Sequence, residues 1–319
     1  MAACYQDLGD GIYCIDTGLY RPQMAACYLV VEGSAAAFID TGTYHTVPLL
    51  LEVLAQLGLS TASVQYVIPT HVHLDHAGGA GELMARCPNA TLVVHPKGAA
   101  HMIDPTKLQA GATAVYGEAG FARDYGKLTP VNAARVITAT DGYVINLNGR
   151  ELRFYATPGH ANHHGCLWDV RSQQCFTGDT FGISYREFDT AQGVWLFAPT
   201  TPVAFSPDDW YTSLDKLAAL QPRAMLLTHY GRVTAVETLL PRLRQSIATL
   251  SALALQEENA PDGRVARLKN SIMACWLEEI GRQGCDLSER DSRELLAVDA
   301  ELNAQGLDIW LLRRSKART

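Results

Sequence analysis

Residues 70–79, with the sequence THVHLDHAGG, constrain this chain more than any other feature of its sequence. They place His71, His73, Asp75 and His76 within a single short loop. Imidazole nitrogens and carboxylate oxygens are the ligands that suit zinc, iron and manganese in proteins. The apolar run VQYVIPT just before them predicts a buried strand that ends at this loop. His71 and His73 then point the same way, whereas Asp75 and His76 turn back, so the segment predicts two adjacent metal sites.

Three further candidate ligands stand at the ends of other apolar runs. His160 ends ELRFYATPGH, Asp179 ends QQCFTGD, and His229 ends AMLLTH. Loops that follow strands at one edge of a sheet converge, and such loops commonly carry ligands. The sequence therefore predicts that these three side chains join the four of the histidine-rich loop. The remaining histidines, at positions 45, 95, 101, 163 and 164, are expected to stay outside the ligand set.

The composition limits the classes of function that this chain can serve. The chain has 319 residues, 48% of them hydrophobic, which is enough for a large buried core. Its 26 basic and 33 acidic residues give a formal charge of −7, and basic residues cluster only in the tail from Arg313 onward. A nuclease needs a basic surface to neutralise phosphates, so we expect no nucleic-acid partner.

The pattern of apolar residues changes along the chain. Up to about residue 233, short strand-like runs alternate with helical segments such as VPLLLEVLAQLG and SPDDWYTSLDKLAAL. From residue 234 onward the periodicity is continuously helical, with one break at NAPDG. This change predicts a catalytic domain at 1–233 and a helical extension at 234–319 that packs on it.

Neither a secretory signal nor a membrane span is expected. The N-terminal stretch MAACYQDLGDGIYCIDTG lacks a basic region followed by an apolar one, and the longest apolar runs are too short for a bilayer. The eight cysteines contain no CxxC pair, which favours buried, reduced thiols. We expect a cytoplasmic protein without membrane contact.

The order HVHLDH, TPGH, TGD and TH resembles the metallo-β-lactamase superfamily over about residues 11–232. The resemblance implies an α/β fold, the αββα sandwich, here with a C-terminal helical extension. The upstream motif FIDTG resembles the first strand-end motif of the family. There the resemblance implies that Asp40 is a buried residue that orients the histidine loop.

The resemblance also implies a binuclear centre with two divalent metal ions, zinc first and iron or manganese as alternatives. It assigns His71, His73 and His160 to the first metal. It assigns Asp75, His76 and His229 to the second metal, and Asp179 to the position that bridges the two. Two cations that share a bridge lower the pKa of the water between them and supply hydroxide near neutral pH. Asp75 would assist proton transfer to the leaving group.

Within the superfamily, some branches fit this sequence better than others. Flavodiiron oxygen reductases have Glu where this chain has His73, tRNA-processing nucleases carry basic elements, and class B β-lactamases lack a bridging aspartate. Glyoxalase II-like thioesterases and acyl homoserine lactone lactonases share the full ligand set. Some lactonases place a substrate-contacting Tyr where this chain has Gly182, so Tyr185 and Tyr230 become the candidate oxyanion donors.

The expected function is hydrolysis of a small ester, lactone or thioester by a metal-bridging hydroxide. The aromatic segments 181–205 and 100–127 are the candidate walls of a pocket for a small-molecule substrate. A phosphodiesterase is one alternative. Another is a metal-bearing regulatory protein, since the quinolone-signal response protein is similar in size and in its helical C-terminus. An iron-dependent persulfide oxygenase shares part of the motif, and a homodimer is compatible with the sequence.

Overall fold

The computed structural model describes residues 4–318, so the first three residues of the N-terminal stretch lie outside the described part. The chain divides into two compact units. The first contains residues up to 156 together with 163–178 and 221–232, and the second contains 157–162, 179–220 and 233 onward. The chain thus enters the second unit near the expected boundary at 233, but it also enters it twice before that point.

The first unit contains a seven-stranded sheet whose strands follow one another in chain order. Its strands are β1 Tyr5–Asp7, β2 Ile12–Asp16, β3 Ala26–Glu32, β4 Ala35–Ile39, β5 Val64–Ile68, β6 Thr91–Val94 and β7 Val136–Thr138. Neighbours from β1 to β4 pair antiparallel, and those from β4 to β7 pair parallel. The parallel strands are connected through helices, as parallel pairing requires.

The helices of this unit lie between β4 and β7 in the sequence. They are α1 Val47–Gln56, α2 Leu74–Ala77, α3 Ala80–Arg86, α4 Pro96–Ile103 and α5 Thr106–Asp124. The predicted helix VPLLLEVLAQLG is α1, with Pro48 in its first turn. The candidate wall at 100–127 is α5 with the end of α4, and α5 is kinked at Gly117.

A second sheet of six strands also belongs to the first unit, apart from the last residue of its edge strand. Its strands are β8 Val144–Leu147, β9 Arg150–Ala156, β10 Gly165–Asp169, β11 Gln174–Gly178, β12 Ala224–Leu227 and β13 Gly231–Val233. Strands β10 and β11 form an antiparallel hairpin, and β11 pairs parallel with β12.

Alternation along the strands explains how the two sheets pack. In β3, Tyr28 and Val30 belong to one apolar core with Phe154 and Leu226 of the second sheet. Leu29, which points to the opposite face, belongs to a separate core with α1 and α3. Successive side chains of β3 point to opposite faces of the sheet, and both sets are buried because the sheet is covered on each side. The expected α/β class, with two packed sheets and flanking helices, is therefore confirmed.

The second unit is helical and rich in aromatic contacts. Its helices are α6 Pro207–Ala219, α7 Val236–Gln256, α8 Arg264–Arg282 and α9 Glu289–Arg318. The break at NAPDG separates α7 from α8, as predicted. Phe197 lies 4.4 Å from Trp276 of α8 between ring centroids, and Phe205 contacts both Trp210 of α6 and Trp310 of α9. The C-terminal helices therefore share a core with the segment 181–205.

Among residues 4–318, none of the helices combines the length and the apolar character that crossing a bilayer demands. None of the eight cysteines, all of which lie within residues 4–318, forms a disulfide, and five of them are buried. Burial raises the pKa of the Cys14 thiol to about 12 and that of Cys87 to about 11. Thiols of this kind stay protonated and behave as small apolar side chains, which agrees with the expectation from the sequence.

Candidate metal centre

The histidine-rich loop follows β5 and leads into the short helix α2. His73 is the residue before α2 and keeps an extended backbone, so its side chain and that of His71 come together. The Nε2 atom of His71 lies 2.8 Å from Nδ1 of His73, and the rings of His71 and His76 are 4.0 Å apart between centroids. Three imidazoles of one loop therefore gather at one point of the first unit.

Asp75, His76 and His229 form a cluster that could hold a metal ion. One ligand atom from each of the three lies within 4.8 Å of the others. The Oδ2 atom of Asp75 is 3.2 Å from Nε2 of His229 and 3.7 Å from Nε2 of His76. Both histidines are buried, whereas the Asp75 side chain is 28% exposed. Nitrogen and oxygen donors in this arrangement suit a divalent first-row cation.

The far nitrogens of both histidines are fixed by acceptors. Nδ1 of His229 donates to the backbone carbonyl of Met24 at 2.9 Å, and Nδ1 of His76 donates to the Asp40 carboxylate at 2.9 Å. A carbonyl or carboxylate only accepts, so Nδ1 carries the proton in each ring and Nε2 presents its lone pair. Fixing the tautomer in this way is how proteins prepare histidine for metal binding.

Asp40 lies at the centre of a buried hydrogen-bond network. It follows β4 with a φ of 55° and is fully buried. Besides His76, it accepts hydrogen bonds from the amide of Thr70 at 2.7 Å, from the Thr70 hydroxyl at 2.9 Å and from the Thr228 hydroxyl at 2.7 Å. Thr70 and Thr228 each precede a candidate ligand. The expectation that Asp40 orients the histidine loop is confirmed.

The neighbouring histidines support the loop. His164 is buried and stacks on His71 with 4.7 Å between ring centroids, and Nδ1 of His163 accepts the Val72 amide at 3.4 Å. Gly178, with a φ of 47°, makes room for this packing. A Cβ atom there would lie 2.6 Å from Nε2 of His164, so only glycine fits.

His160 and Asp179 belong to the second unit and face each other there. Nε2 of His160 lies 3.3 Å from Oδ2 of Asp179, and Nδ1 of His160 donates to the Pro199 carbonyl at 2.8 Å. The lone pair of His160 is therefore on Nε2, on the side of Asp179. Gly159 precedes this histidine with a φ of 136°, and a Cβ atom there would lie 2.4 Å from Cα of Trp210.

The two candidate oxyanion donors have packing partners. Tyr185 is fully buried, and its hydroxyl donates to the Asp299 carboxylate of α9 at 3.1 Å. Tyr230 is half-buried and packs on the core between the sheets that also contains Cys14. Burial is the main cause of its raised pKa, so its phenol stays neutral. These environments favour a packing role for both phenols.

Two other tyrosines lie near Asp75, and sequence reasoning missed one of them. The hydroxyls of Tyr20 and Tyr125 are 3.4 Å apart, and Tyr125 packs against Leu74 next to Asp75. Burial raises the pKa of both phenols, and the negative charge of Asp75 adds to the rise. Tyr116 lies 5.1 Å from Tyr125 between ring centroids. Tyr125 and Tyr116 belong to the candidate wall at 100–127, whereas nothing in the sequence around Tyr20 marks it.

Several known proteins are similar to this chain in sequence. The family model described as the metallo-beta-lactamase superfamily matches residues 20–229. A metallo-beta-lactamase fold-containing protein of Sulfurisphaera tokodaii is 26% identical over 229 residues, which are 70% of this chain and 80% of that protein. An atrochrysone carboxyl ACP thioesterase of Aspergillus chevalieri is 27% identical over 163 residues. That match covers 51% of this chain and 42% of the thioesterase, so the chain spans less than half of that relative.

A solved structure agrees over nearly the whole chain. The metallo-beta-lactamase family protein from Thermus thermophilus superposes with a TM-score of 0.69 at 20% identity. The match covers 97% of this chain and 95% of the Thermus protein, so it includes the C-terminal helices. At this identity the likeness supports the fold.

Proposed function

This chain belongs to the metallo-β-lactamase superfamily, and from that membership we propose that it is a metal-dependent hydrolase with two divalent cations. The observation that carries the proposal is the cluster of Asp75, His76 and His229. Its histidines expose Nε2 toward the carboxylate because Asp40 and Met24 hold their Nδ1 protons. A preformed set of nitrogen and oxygen ligands with fixed tautomers is what a metal site needs and an ordinary polar cluster lacks.

The second cation is proposed on the ligand order of the family. His71, His73 and His160 would hold it, and Asp179 would bridge it to the cation at Asp75. The 2.8 Å approach of His71 to His73 and the 3.3 Å approach of His160 to Asp179 support this assignment, because each pair turns ligand atoms toward each other. Zinc is the first choice for such a donor set, with iron or manganese as alternatives.

When bound, the two cations would lower the pKa of a shared water near neutrality and polarise the scissile carbonyl. The chain supplies the rest of the chemistry. The partly exposed carboxylate of Asp75 would pass a proton to the leaving group. The buried network around Asp40 keeps His76 and the loop in one arrangement, so the ligand atoms need no reorganisation during the reaction.

The proposed substrate is a small ester, lactone or thioester, with the thioester first. Two observations support this order. The relative from Aspergillus chevalieri is named a thioesterase. Tyr125 packs against Leu74 next to Asp75 and contacts Tyr20 and Tyr116, and neutral aromatic side chains of this kind suit an acyl group better than a sugar or a nucleotide.

Elemental analysis and a substrate panel together test this proposal. Protein purified without added metal should contain close to two equivalents of zinc, iron or manganese, and the panel should contain thioester, ester, lactone and phosphodiester probes. His73→Ala should lose one equivalent and abolish turnover while the fold persists. One equivalent in the parent protein would point to the mononuclear oxygenase branch, and unchanged turnover in His73→Ala would refute the mechanism.

The panel also separates the proposal from its alternatives. Turnover confined to the phosphodiester probe would assign the chain to the phosphodiesterases of the superfamily. A full complement of metal with negligible turnover on every probe would favour a metal-bearing regulatory protein. In that case a partner should be captured by the full chain and lost on substitutions in the helices after residue 234.

A further inference from the structure

Helix α9 is hydrogen-bonded to the segment that anchors His160. Oδ1 of Asn303 accepts two hydrogen bonds from Thr200, one from its amide at 2.7 Å and one from its hydroxyl at 2.8 Å. Nδ2 of Asn303 donates to the Asp299 carbonyl at 2.8 Å, which fixes the orientation of the amide group. Thr200 directly follows Pro199, whose carbonyl accepts the Nδ1 proton of His160. The contacts form a continuous path from α9 to that imidazole.

The segment that contains Thr200 is also hydrogen-bonded to α7, and it packs tightly against the backbone of α9. The amide of Ala198 donates to the hydroxyl of Ser246 in α7 at 3.0 Å. At Gly306 of α9, a Cβ atom would lie 1.6 Å from the Thr200 carbonyl oxygen, so the helix backbone itself touches the segment. Residues 198–200 are therefore held between α7 and α9, and these contacts restrain the Pro199 carbonyl.

From this path we propose that Asn303 is a positioning residue for His160. By fixing Thr200 it holds the Pro199 carbonyl where the Nδ1 proton of His160 can reach it, and the lone pair then stays on Nε2, facing Asp179. The proposal rests on the proposed function only in taking Nε2 of His160 as a metal ligand. It gives the C-terminal helices a role in the chemistry of the site.

Loss of the Asn303 amide has two expected effects. In Asn303→Leu, the amide and hydroxyl of Thr200 lose a buried acceptor, so the segment must shift to satisfy them. The Pro199 carbonyl moves with it, and His160 is then able to carry its proton on either nitrogen. Disturbing a hydrogen-bond partner of a ligating histidine typically weakens metal binding by about 10–100-fold.

The experiment compares the parent full-length chain with Asn303→Leu and with a matched control, Gln305→Leu. Gln305 lies on the same helix, and its amide donates along α9 to Glu301 at 2.8 Å. The first readout is the tautomer of His160 in the metal-free protein, by nitrogen NMR of histidine-labelled samples assigned with His160→Gln. The second is zinc affinity, by competition with a chromophoric chelator. Thermal unfolding reports whether each variant folds.

The parent should show the Nδ1-protonated tautomer at His160. Asn303→Leu should show a mixture of tautomers and a zinc affinity lower by about 10–100-fold at one of the two sites, while Gln305→Leu matches the parent. If Asn303→Leu does not fold, Thr200→Val removes one of the two hydrogen bonds at constant shape and should shift both readouts in the same direction.

A folded Asn303→Leu with the parent tautomer and a zinc affinity within twofold of the parent would overturn the proposal. So would a folded Thr200→Val that leaves both readouts unchanged when Asn303→Leu is unfolded. Failure of the proposed function looks different. If the parent bound metal without turnover, both readouts would still test Asn303; if it bound no metal, the NMR readout alone would still test whether Asn303 positions His160.

Discussion

Replacing Asp40 with asparagine exchanges one buried carboxylate oxygen for an NH₂ group at nearly constant size. Asparagine tolerates a positive φ, so the φ of 55° at this position adds no strain. The carboxylate accepts hydrogen bonds from Thr70, His76 and Thr228. An amide has a single acceptor oxygen, so in either orientation its NH₂ group faces donors on one side and about two of the four hydrogen bonds are lost.

The expected size of the effect follows from these contacts. A hydrogen bond to a charged group contributes about 1.5–3 kcal/mol, and a buried donor left without an acceptor adds its desolvation cost. We therefore expect Asp40→Asn to lower the free energy of unfolding of the metal-free protein by about 3–5 kcal/mol. His76 also loses the acceptor that fixes its tautomer, so zinc affinity should fall by about 10–100-fold.

Urea unfolding of the metal-free protein and chelator competition for zinc measure the two effects separately. Asp169→Asn is the matched control, because Asp169 is an equally buried carboxylate that accepts from Arg150 and Ser172 at the far end of β10. The control should lose stability but keep its zinc affinity. A loss below about 1 kcal/mol in Asp40→Asn, together with unchanged zinc affinity, would refute the reasoning.

Three further predictions concern other parts of the chain. Asp179→Ala should abolish hydrolysis at an unchanged circular dichroism spectrum, and activity within twofold of the parent would contradict the bridging role. Gly159→Ala should lower the metal content and the melting temperature, because its Cβ meets Trp210; a parent-like variant would show that the loop can relax. Glu279→Gln should raise the free energy of unfolding at pH 7, since burial raises the pKa of Glu279 and its charged form is therefore disfavoured, while Gln keeps an acceptor for Trp195. That gain should shrink as the pH falls through the raised pKa toward 4.5, and a gain independent of pH would contradict it.

The clustering of candidate ligands in the loop at 70–79 was largely predictable, because ligand types are rare and their spacing is informative. The loop at 70–79 follows a buried strand as expected, and Asp40 lies beneath it. The anchors of the ligands were not predictable. Met24 and Pro199 act through backbone carbonyls, which every residue has, so no side chain marks them in the sequence.

The organisation into units was also only partly predictable. Helical periodicity after residue 234 predicts α7, α8 and α9 correctly, since each has a regular apolar stripe. It does not predict that residues 157–162 and 179–220 belong with those helices. Their association depends on contacts such as Phe197 with Trp276, and aromatic side chains in an irregular segment carry no periodic signal. The hydrogen bond from the phenol of Tyr185 to Asp299 was not predictable for the same reason, because the two residues lie 114 positions apart in the sequence.

Segments of the two units alternate along the sequence, and this order affects how the chain folds during its synthesis. Thr200 is synthesised well before its partner Asn303, which follows 103 residues later. At about 5–20 residues per second, the segment 181–205 would wait several seconds on the ribosome with its aromatic rings uncovered. The histidine loop and its strands can fold during that time, so the candidate metal ligands of the first unit would come together early. His160 would be fixed only when α9 arrives, and metal loading at that histidine would then mark the end of folding.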